Sequence, residues 1–306
     1  MINKKIIIGS RGSKLALNYA ERAKNEICSK FNIKEKNLEI KKIITEGDKI
    51  KDIRLSDTGG KGLFSKTIEN ELLDNKIDIA VHALKDMPSD ETSGLTTNCF
   101  LERNDPREVL ISRDKKKFND LNKGSIIGTS SFRREFQFKR IRNDLKYKLI
   151  RGNVDTRIKK LNEKNFDAII LSFAGLHSLK LDQNITQIFS TSEIIPSAGQ
   201  GTIALQCREN DEEIIKILKK INHELTYKCV IAERDVLKTL NGDCETPVGV
   251  FAHIKNNELN LETELFSLDG KDRFYESLST ELKNFKKIGL EVGTILKKKS
   301  KNSYKR

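Results

Sequence analysis

The residue types best suited to chemistry recur at one kind of place in this chain. Ile6–Ile8 runs into Ser10-Arg11-Gly12-Ser13, and Ile77–Val81 into His82-Ala83-Leu84-Lys85-Asp86. Ile126–Gly128 opens onto Thr129-Ser130-Ser131-Phe132-Arg133-Arg134, and Lys148–Ile150 onto Arg151-Gly152-Asn153-Val154-Asp155-Thr156-Arg157. A short apolar run, a polar loop and then helical periodicity predict a strand leading into a helix. Open α/β sheets bind ligands beyond the carboxyl ends of their strands, where helix N-termini offer free N–H groups. Arg11, Ser13, Lys85, the hydroxyls of Thr129, Ser130 and Ser131, and Arg133, Arg134, Arg151 and Arg157 are therefore expected around one anion cleft. A cap or a surface role would explain any one of these residues, but recurrence after four strands favours the cleft. The planar donor fork of arginine suits carboxylates or phosphates.

Two further residues stand out against that cationic background. Asp86 closely follows a strand beside Lys85, where an anionic guest would repel it. That is a poor place for a binding group and a good one for an acid or a cation stabiliser, with a loop salt bridge to Lys85 as the plainer alternative. Cys244 lies in Gly242-Asp243-Cys244-Glu245-Thr246-Pro247, among turn residues between a helix and a strand. Cys28, Cys99, Cys207 and Cys229 read instead as small buried hydrophobes. No histidine lies near Cys244 in sequence, so covalent attachment fits it better than a Cys–His hydrolase. Gly59-Gly60-Lys61-Gly62 lacks the GxxxxGK[ST] spacing of a nucleotide loop. It reads equally as a hinged loop bringing Lys61 to the cleft or as a plain turn.

The elements that must position these residues alternate as strand and helix, which implies α/β layers with largely parallel sheets. A polar stretch at Arg103-Asn104-Asp105-Pro106-Arg107 suits a hinge, and a second break falls at Pro196–Gly201. After about residue 222 the pattern changes to a long helix (225–240), strands at 248–254 and 259–266, and a final helix, which reads as a small α+β domain. The expected organisation is a first α/β lobe over 1–101 with 202–219 returning to it, a second over 102–201, and a C-terminal domain over 220–306.

Composition limits the possibilities. The 306 residues carry 57 Lys and Arg against 44 Asp and Glu, a net charge of +13. Part of the excess is a Lys-rich tail, 297–306, expected to be disordered. No stretch approaches the ~20 apolar residues of a membrane helix, and no signal-peptide pattern opens the chain, so a cytoplasmic protein with no membrane role is expected. The five cysteines form no CxxC pair and the four histidines are scattered, which indicates neither a disulfide framework nor a metal site. Nucleic-acid binding rests on net charge alone; the arginines sit in strand-end loops and Trp is absent.

Nine stretches, in order, resemble the porphobilinogen deaminase family: GSRGSKLAL (9–17), GGKGLFSK (59–66), DIAVHALKDMP (78–88), ERNDPRE (102–108), GTSSFRR (128–134), RGNVDTR (151–157), DAIILSFAGL (167–176), PSAGQG (196–201) and GDCETPVG (242–249). The resemblance implies two periplasmic-binding-protein-like lobes and a third domain carrying a cysteine loop. It also implies a monomeric transferase of haem biosynthesis that joins four porphobilinogen molecules head to tail into 1-hydroxymethylbilane, releasing ammonia. The chain grows on a dipyrromethane primer held by a thioether, for which Cys244 is the matching residue. Asp86 matches the catalytic aspartate, which helps expel the amino group and stabilises the azafulvene cation. Lys85, Thr129, Ser130, Ser131, Arg133, Arg134 and Arg157 match cofactor-binding positions. Arg11, Ser13, Arg151, Gln200 and the loop residues Lys61 and Phe64 match the substrate side. Every pyrrole brings two carboxylates, as a cleft of several arginines requires. Two positions depart from the commoner pattern, Ser178 for an arginine and Asp57 for a lysine, and His177 or Lys180 is the expected substitute for the missing arginine. A non-catalytic binding protein for a small dianion shares the two-lobed plan, but it needs neither Asp86 nor a covalent adduct.

Overall fold

The computed structural model describes residues 5–32, 34–49, 62–243 and 246–305; Asp57, Lys61 and Cys244 lie outside them. The chain begins with β1 (Ile6–Arg11), α1 (Lys14–Phe31), β2 (Leu38–Ile43), the single turn α2 (Glu46–Lys49), α3 (Lys66–Leu73), β3 (Ile79–Ala83) and β4 (Leu95–Phe100). It crosses to β5 (Glu108–Ser112), β6 (Ile126–Gly128), α4 (Phe132–Ile141), β7 (Lys146–Lys148), α5 (Val154–Asn162), β8 (Ala168–Ser172), α6 (Phe173–Ser178) and β9 (Gln187–Ile188). It then returns with β10 (Ile203–Arg208) and α7 (Glu212–Ile221), and ends with α8 (Glu224–Leu240), β11 (Val248–Lys255), β12 (Glu258–Phe266), β13 (Arg273–Glu281) and α9 (Phe285–Ser300).

The first sheet has the order β2-β1-β3-β10-β4, and the second β7-β6-β8-β5-β9. In each, four strands run one way and the strand that has just crossed between lobes, β10 or β5, runs antiparallel to both neighbours. The two α/β lobes are thus mostly parallel and similar in plan. The expected strands are present within a few residues; the one expected at 148–150 lies earlier, at Lys146–Lys148.

Local sequence explains the elements that matter for the cleft. Helix α1 starts where the Ser13 hydroxyl accepts from the Ala16 N–H at 3.3 Å, and stops at Asn32 in the left-handed region. Its stripe of Tyr19, Ala20, Ala23 and Ile27 is buried against the first sheet. In the second lobe Phe118, Phe138 and Phe189 meet edge-on, with centroids 4.8, 5.1 and 5.7 Å apart.

The third unit is an antiparallel sheet, β11-β12-β13, covered by α8 and α9. Strand β13 was not expected from the sequence. Its inward positions are Phe274, Glu276, Leu278 and Thr280, so polar residues interrupt the apolar alternation that would have betrayed it. Gly289 lets the two helices meet closely, since a Cβ there would lie 2.3 Å from the Ala232 carbonyl oxygen. Glu233 of α8, fully buried, accepts from Arg103 Nη1 at 2.6 Å, from the Gly199 N–H at 2.6 Å and from the Ala252 N–H at 2.8 Å. One carboxylate therefore ties the C-terminal unit to both inter-lobe crossings.

The Lys-rich tail is not disordered. Ile288, Val292 and Leu296 continue a buried i, i+4 stripe while Lys297, Lys298 and Lys299 complete the last turn of α9, and Tyr304 beyond it is buried with its hydroxyl donating to the Leu240 carbonyl at 2.9 Å. Counting lysines concealed that periodicity. Tyr304→Ala is expected to cost about 3–5 kcal/mol, and Tyr304→Phe about 1 kcal/mol. Urea unfolding checks both, and an unchanged midpoint for Tyr304→Ala would remove the tail from the core.

Candidate active site

The carboxyl ends of the parallel strands in both lobes face a cleft of ≈ 1030 Å³. From the first lobe Arg11, Ser13, Phe64, Lys85 and Asp86 line it; from the second, Ser130, Ser131, Arg133, Arg134, Arg151 and Arg157 do so. Gln200 of the second crossing and Asp243 and Thr246 of the third unit complete the wall used here. Thr129 is not on that wall. It is buried, its N–H donates to the Lys148 carbonyl at 3.0 Å and its hydroxyl accepts from the Ser131 N–H at 3.2 Å, so it shapes the loop that presents its neighbours.

Arg11 ends β1, and its guanidinium lies 4.0 Å over the Phe64 ring, a cation–π contact. Phe64 packs on Gly47, where a Cβ would come within 2.3 Å of the ring. Lys85 and Asp86 share the 3-10 turn Leu84–Asp86 after β3, pinned by the Leu84 N–H to the Thr202 carbonyl at 3.0 Å. Burial pushes the Lys85 ammonium down to about 8, Arg134 and Arg133 adding to the effect and Asp86 and Glu108 opposing it. Arg157 is lowered to about 10, first by burial and then by Arg134 and Arg151, against the pull of Asp86. The Asp86 carboxylate is thus felt by a cation from each lobe. Two other acids line the cleft: Asp155 faces Lys14 at 3.9 Å on the exposed side, and Asp243 accepts from the Thr246 N–H at 3.2 Å.

Arg133 and Arg134 follow the Ser131 cap of α4 and differ in their commitments. Arg133 donates to the Ile195 carbonyl at 2.9 Å and to Glu108 at 2.7 Å. Arg134 pairs with the other Glu108 oxygen at 2.8 Å and donates to the Ile170 carbonyl at 3.2 Å, while its Nε is buried with no partner. Gln200 is buried and donates to the Pro106 carbonyl at 2.6 Å and to Glu108 at 3.0 Å. Burial would raise the Glu108 carboxyl, but Arg134 and Arg133 more than offset this and hold it at about 2.

The segment after Asp86 is fastened to the third unit. Ser89 Oγ donates to the Gly242 carbonyl at 3.1 Å, and Arg234 of α8 donates to the carbonyls of Pro88 at 2.8 Å and Ser89 at 3.2 Å. Cys244 and Lys61 lie outside the described residues, but the neighbours of Cys244, Asp243 and Thr246, line the cleft. Burial raises the thiols of Cys28, Cys99, Cys207 and Cys229, which makes all four poor nucleophiles.

The expected substitutes for a missing arginine are corrected by their positions. Ser178 caps no cleft wall; it sits on the seam between α6 and α1, where its carbonyl accepts from Asn18 Nδ2 at 2.6 Å. His177 is exposed and paired with Asp182 at 2.9 Å, and Lys180 is exposed, so neither reaches the cleft. Sequence reasoning missed Glu108 and Glu233. Each had a signal: Glu108 opens the otherwise buried strand EVLIS, and Glu233 falls on the apolar face of α8 with Cys229, Val236 and Leu240.

Fold and site define a two-lobed α/β protein whose inter-lobe cleft is built for a guest with several carboxylates. Comparison with known proteins makes this specific. Residues 6–216 match the family model for the porphobilinogen deaminase dipyrromethane cofactor binding domain, and residues 227–298 that for the porphobilinogen deaminase C-terminal domain. A porphobilinogen deaminase of Staphylococcus epidermidis is 41% identical over 298 residues, 96% of this chain and 95% of the relative. One from a Geobacillus species is 43% identical over 298 residues, 96% of this chain and 94% of the relative. The chain belongs to the porphobilinogen deaminase family, enzymes of tetrapyrrole biosynthesis that polymerise porphobilinogen. A substrate-binding domain of a putative amino acid ABC transporter from Streptococcus pneumoniae aligns with TM-score 0.43 and 15% identity over 71% of this chain and 92% of that one, which adds nothing to the strand order above.

Burial sets Lys85 to lose its charge near pH 8, so any carboxylate facing it would be held less well as pH rises. If that carboxylate belongs to a covalently held group, kcat is expected to fall about tenfold through that range, the worth of one charge-assisted hydrogen bond, with a smaller change in KM. Lys85→Arg should flatten the fall in a steady-state pH profile; a profile identical to wild type would assign the titration elsewhere.

Proposed function

We propose that Asp86 is the catalytic residue of this deaminase and that the dipyrromethane cofactor is held by a thioether to Cys244. The observation that carries this reading is the fastening of the Asp86 turn to the start of the cysteine loop, with Asp243 and Thr246 on the wall of the same cleft. The residues present fit the cofactor: Lys85, Arg134 and Arg157 line the cleft, and Arg134 keeps a buried Nε with no hydrogen-bond partner. Lys85, Ser130, Ser131, Arg134 and Arg157 would hold the primer's acetate and propionate groups, with Thr129 and Arg133 acting from behind. Arg11, Ser13, Phe64 and Arg151, with Lys61, would receive the incoming porphobilinogen, and Gln200 would brace that side from its buried position. When bound, the dipyrromethane supplies the nucleophilic pyrrole carbon to which the substrate is joined.

Asp86 then acts on the substrate. Its carboxylate accepts the pyrrole N–H and faces the positive charge that develops as the C–N bond breaks and the amine leaves as ammonia. The surrounding cations would hold the substrate's side chains away from Asp86, which leaves its carboxylate for the reacting ring.

The chain works as a cytoplasmic monomer in this reading. Four described cysteines are free thiols, as a reducing compartment allows. The working units are 1–101 with 202–219, 102–201, and 220–306, moving about the crossings at 102–107 and 196–201.

The test is the intact mass of the denatured protein. An excess equal to two deaminated porphobilinogen units, lost in Cys244→Ala, is expected; a bare-chain mass that persists after incubation with porphobilinogen would overturn the reading. Asp86→Asn should keep the primer mass and lose ~10²–10⁴-fold in kcat.

A further inference from the structure

Glu108 lies at the first position of β5, fully buried, where three pieces of the chain meet. Its own strand continues the first crossing, Gln200 arrives from the second, and Arg133 and Arg134 come from the first turn of α4. One carboxylate thus serves two guanidiniums. Arg133 spends its terminal nitrogens on Glu108 and the Ile195 carbonyl, whereas Arg134 is held by Glu108 and the Ile170 carbonyl and keeps its Nε without a partner at the cleft.

We infer that Glu108 is a positioning residue: its negative charge, fixed where both crossings meet α4, aims Arg134 into the cleft for the guest's carboxylates, while Arg133 closes the crossing. The inference rests on the function proposed above. Four charged groups act on Lys85: Arg134 and Arg133 disfavour its ammonium form, and Asp86 and Glu108 favour it. Glu108 therefore supports three of the cleft's cations at once, Arg133 and Arg134 by direct contact and Lys85 through the field. A purely structural ion pair would hold the crossings together but would have no influence on how the cleft titrates.

Glu108→Gln keeps the shape and removes the charge, and Glu108→Asp keeps the charge on a shorter arm. Both are to be assayed as purified holoenzyme, with KM, kcat and the alkaline limb of the kcat profile measured for porphobilinogen. Glu108→Gln is expected to lower kcat about tenfold or more, with a smaller change in KM, because Arg134 and Lys85 face the covalently held primer and orient it less well. Its alkaline limb should move to lower pH as Lys85 loses a supporting charge. Glu108→Asp should lower kcat about threefold, as one arginine is held less well, and leave the limb in place. A wild-type kcat in either variant, or a loss of kcat with an unmoved limb in Glu108→Gln, overturns the inference. Should Glu108→Gln fail to accumulate folded, Glu108→Asp decides alone: a lowered kcat with the limb in place supports the inference, and a displaced limb refutes it. An inactive wild type would sink the proposed function and this inference together; an active wild type with unchanged variants sinks this inference only.

Discussion

Everything in the cleft depends on holding like charges together out of water. Two unit charges about 4 Å apart repel by about 4 kcal/mol at the effective dielectric of a protein surface region, and this cleft gathers arginines and a lysine from both lobes. Burial first and the neighbouring guanidiniums second lower Lys85 to about 8 and Arg157 to about 10. Glu108 and Glu233, both 0% exposed, provide buried opposite charge. Removing one partner of such a buried pair typically costs about 3–5 kcal/mol, so these acids are as much a part of the fold as the apolar cores. They also sit at the two places where the chain passes between lobes. The field of the site and the geometry of the crossings are therefore set by the same side chains.

The third unit follows from that arrangement. Glu233 gathers Arg103, Gly199 and Ala252, and the Val250 N–H donates to the Pro196 carbonyl at 2.8 Å, so α8 and β11 are bolted to both crossings. Arg234, next along α8, grips the carbonyls of Pro88 and Ser89 just beyond Asp86. One turn of helix thus fixes the crossings on one side and the Asp86 turn on the other. The far end of α8 leads into Gly242, and Tyr304 braces that end through the Leu240 carbonyl. Gly242 and the turn that carries Asp86 are in this way referenced to a single helix, the kind of rigid support that aligned groups need.

How much of this was legible in the sequence depends on the range of the interaction. Arg11, Lys85, Asp86, Arg134 and Arg157 each follow an apolar run within a few residues, so local periodicity places them, and all line the cleft. The buried acids were not legible. ERNDPRE reads as a polar hinge, and polarity was taken as exposure, whereas Glu108 is buried and Arg103 half-buried by partners from α4 and α8, 25 and 130 residues away. The tail failed for the converse reason: its lysines dominate the composition, but the i, i+4 spacing of Ile288, Val292 and Leu296 decides its fate. Ser178 shows a third limit. A position can match a binding residue in sequence and still face a different seam: Gly175 of α6 lines the cleft, whereas Ser178 at the end of the same short helix meets α1.

An elongating polycarboxylate sets a problem that cation number alone does not solve. Each added unit brings two more carboxylates, and a cleft of fully available arginines would bind every stage ever more tightly, slowing movement and release. Uniform binding of this kind does nothing for the chemical step. A cleft whose arginines are already partly satisfied avoids the difficulty: Arg133 is spent on Glu108 and Ile195, and Arg134 keeps only part of its donor set for a guest. In the role proposed for it, Asp86 completes the balance: in a field of cations a carboxylate gains most when positive charge appears beside it, and that occurs only as the amine departs.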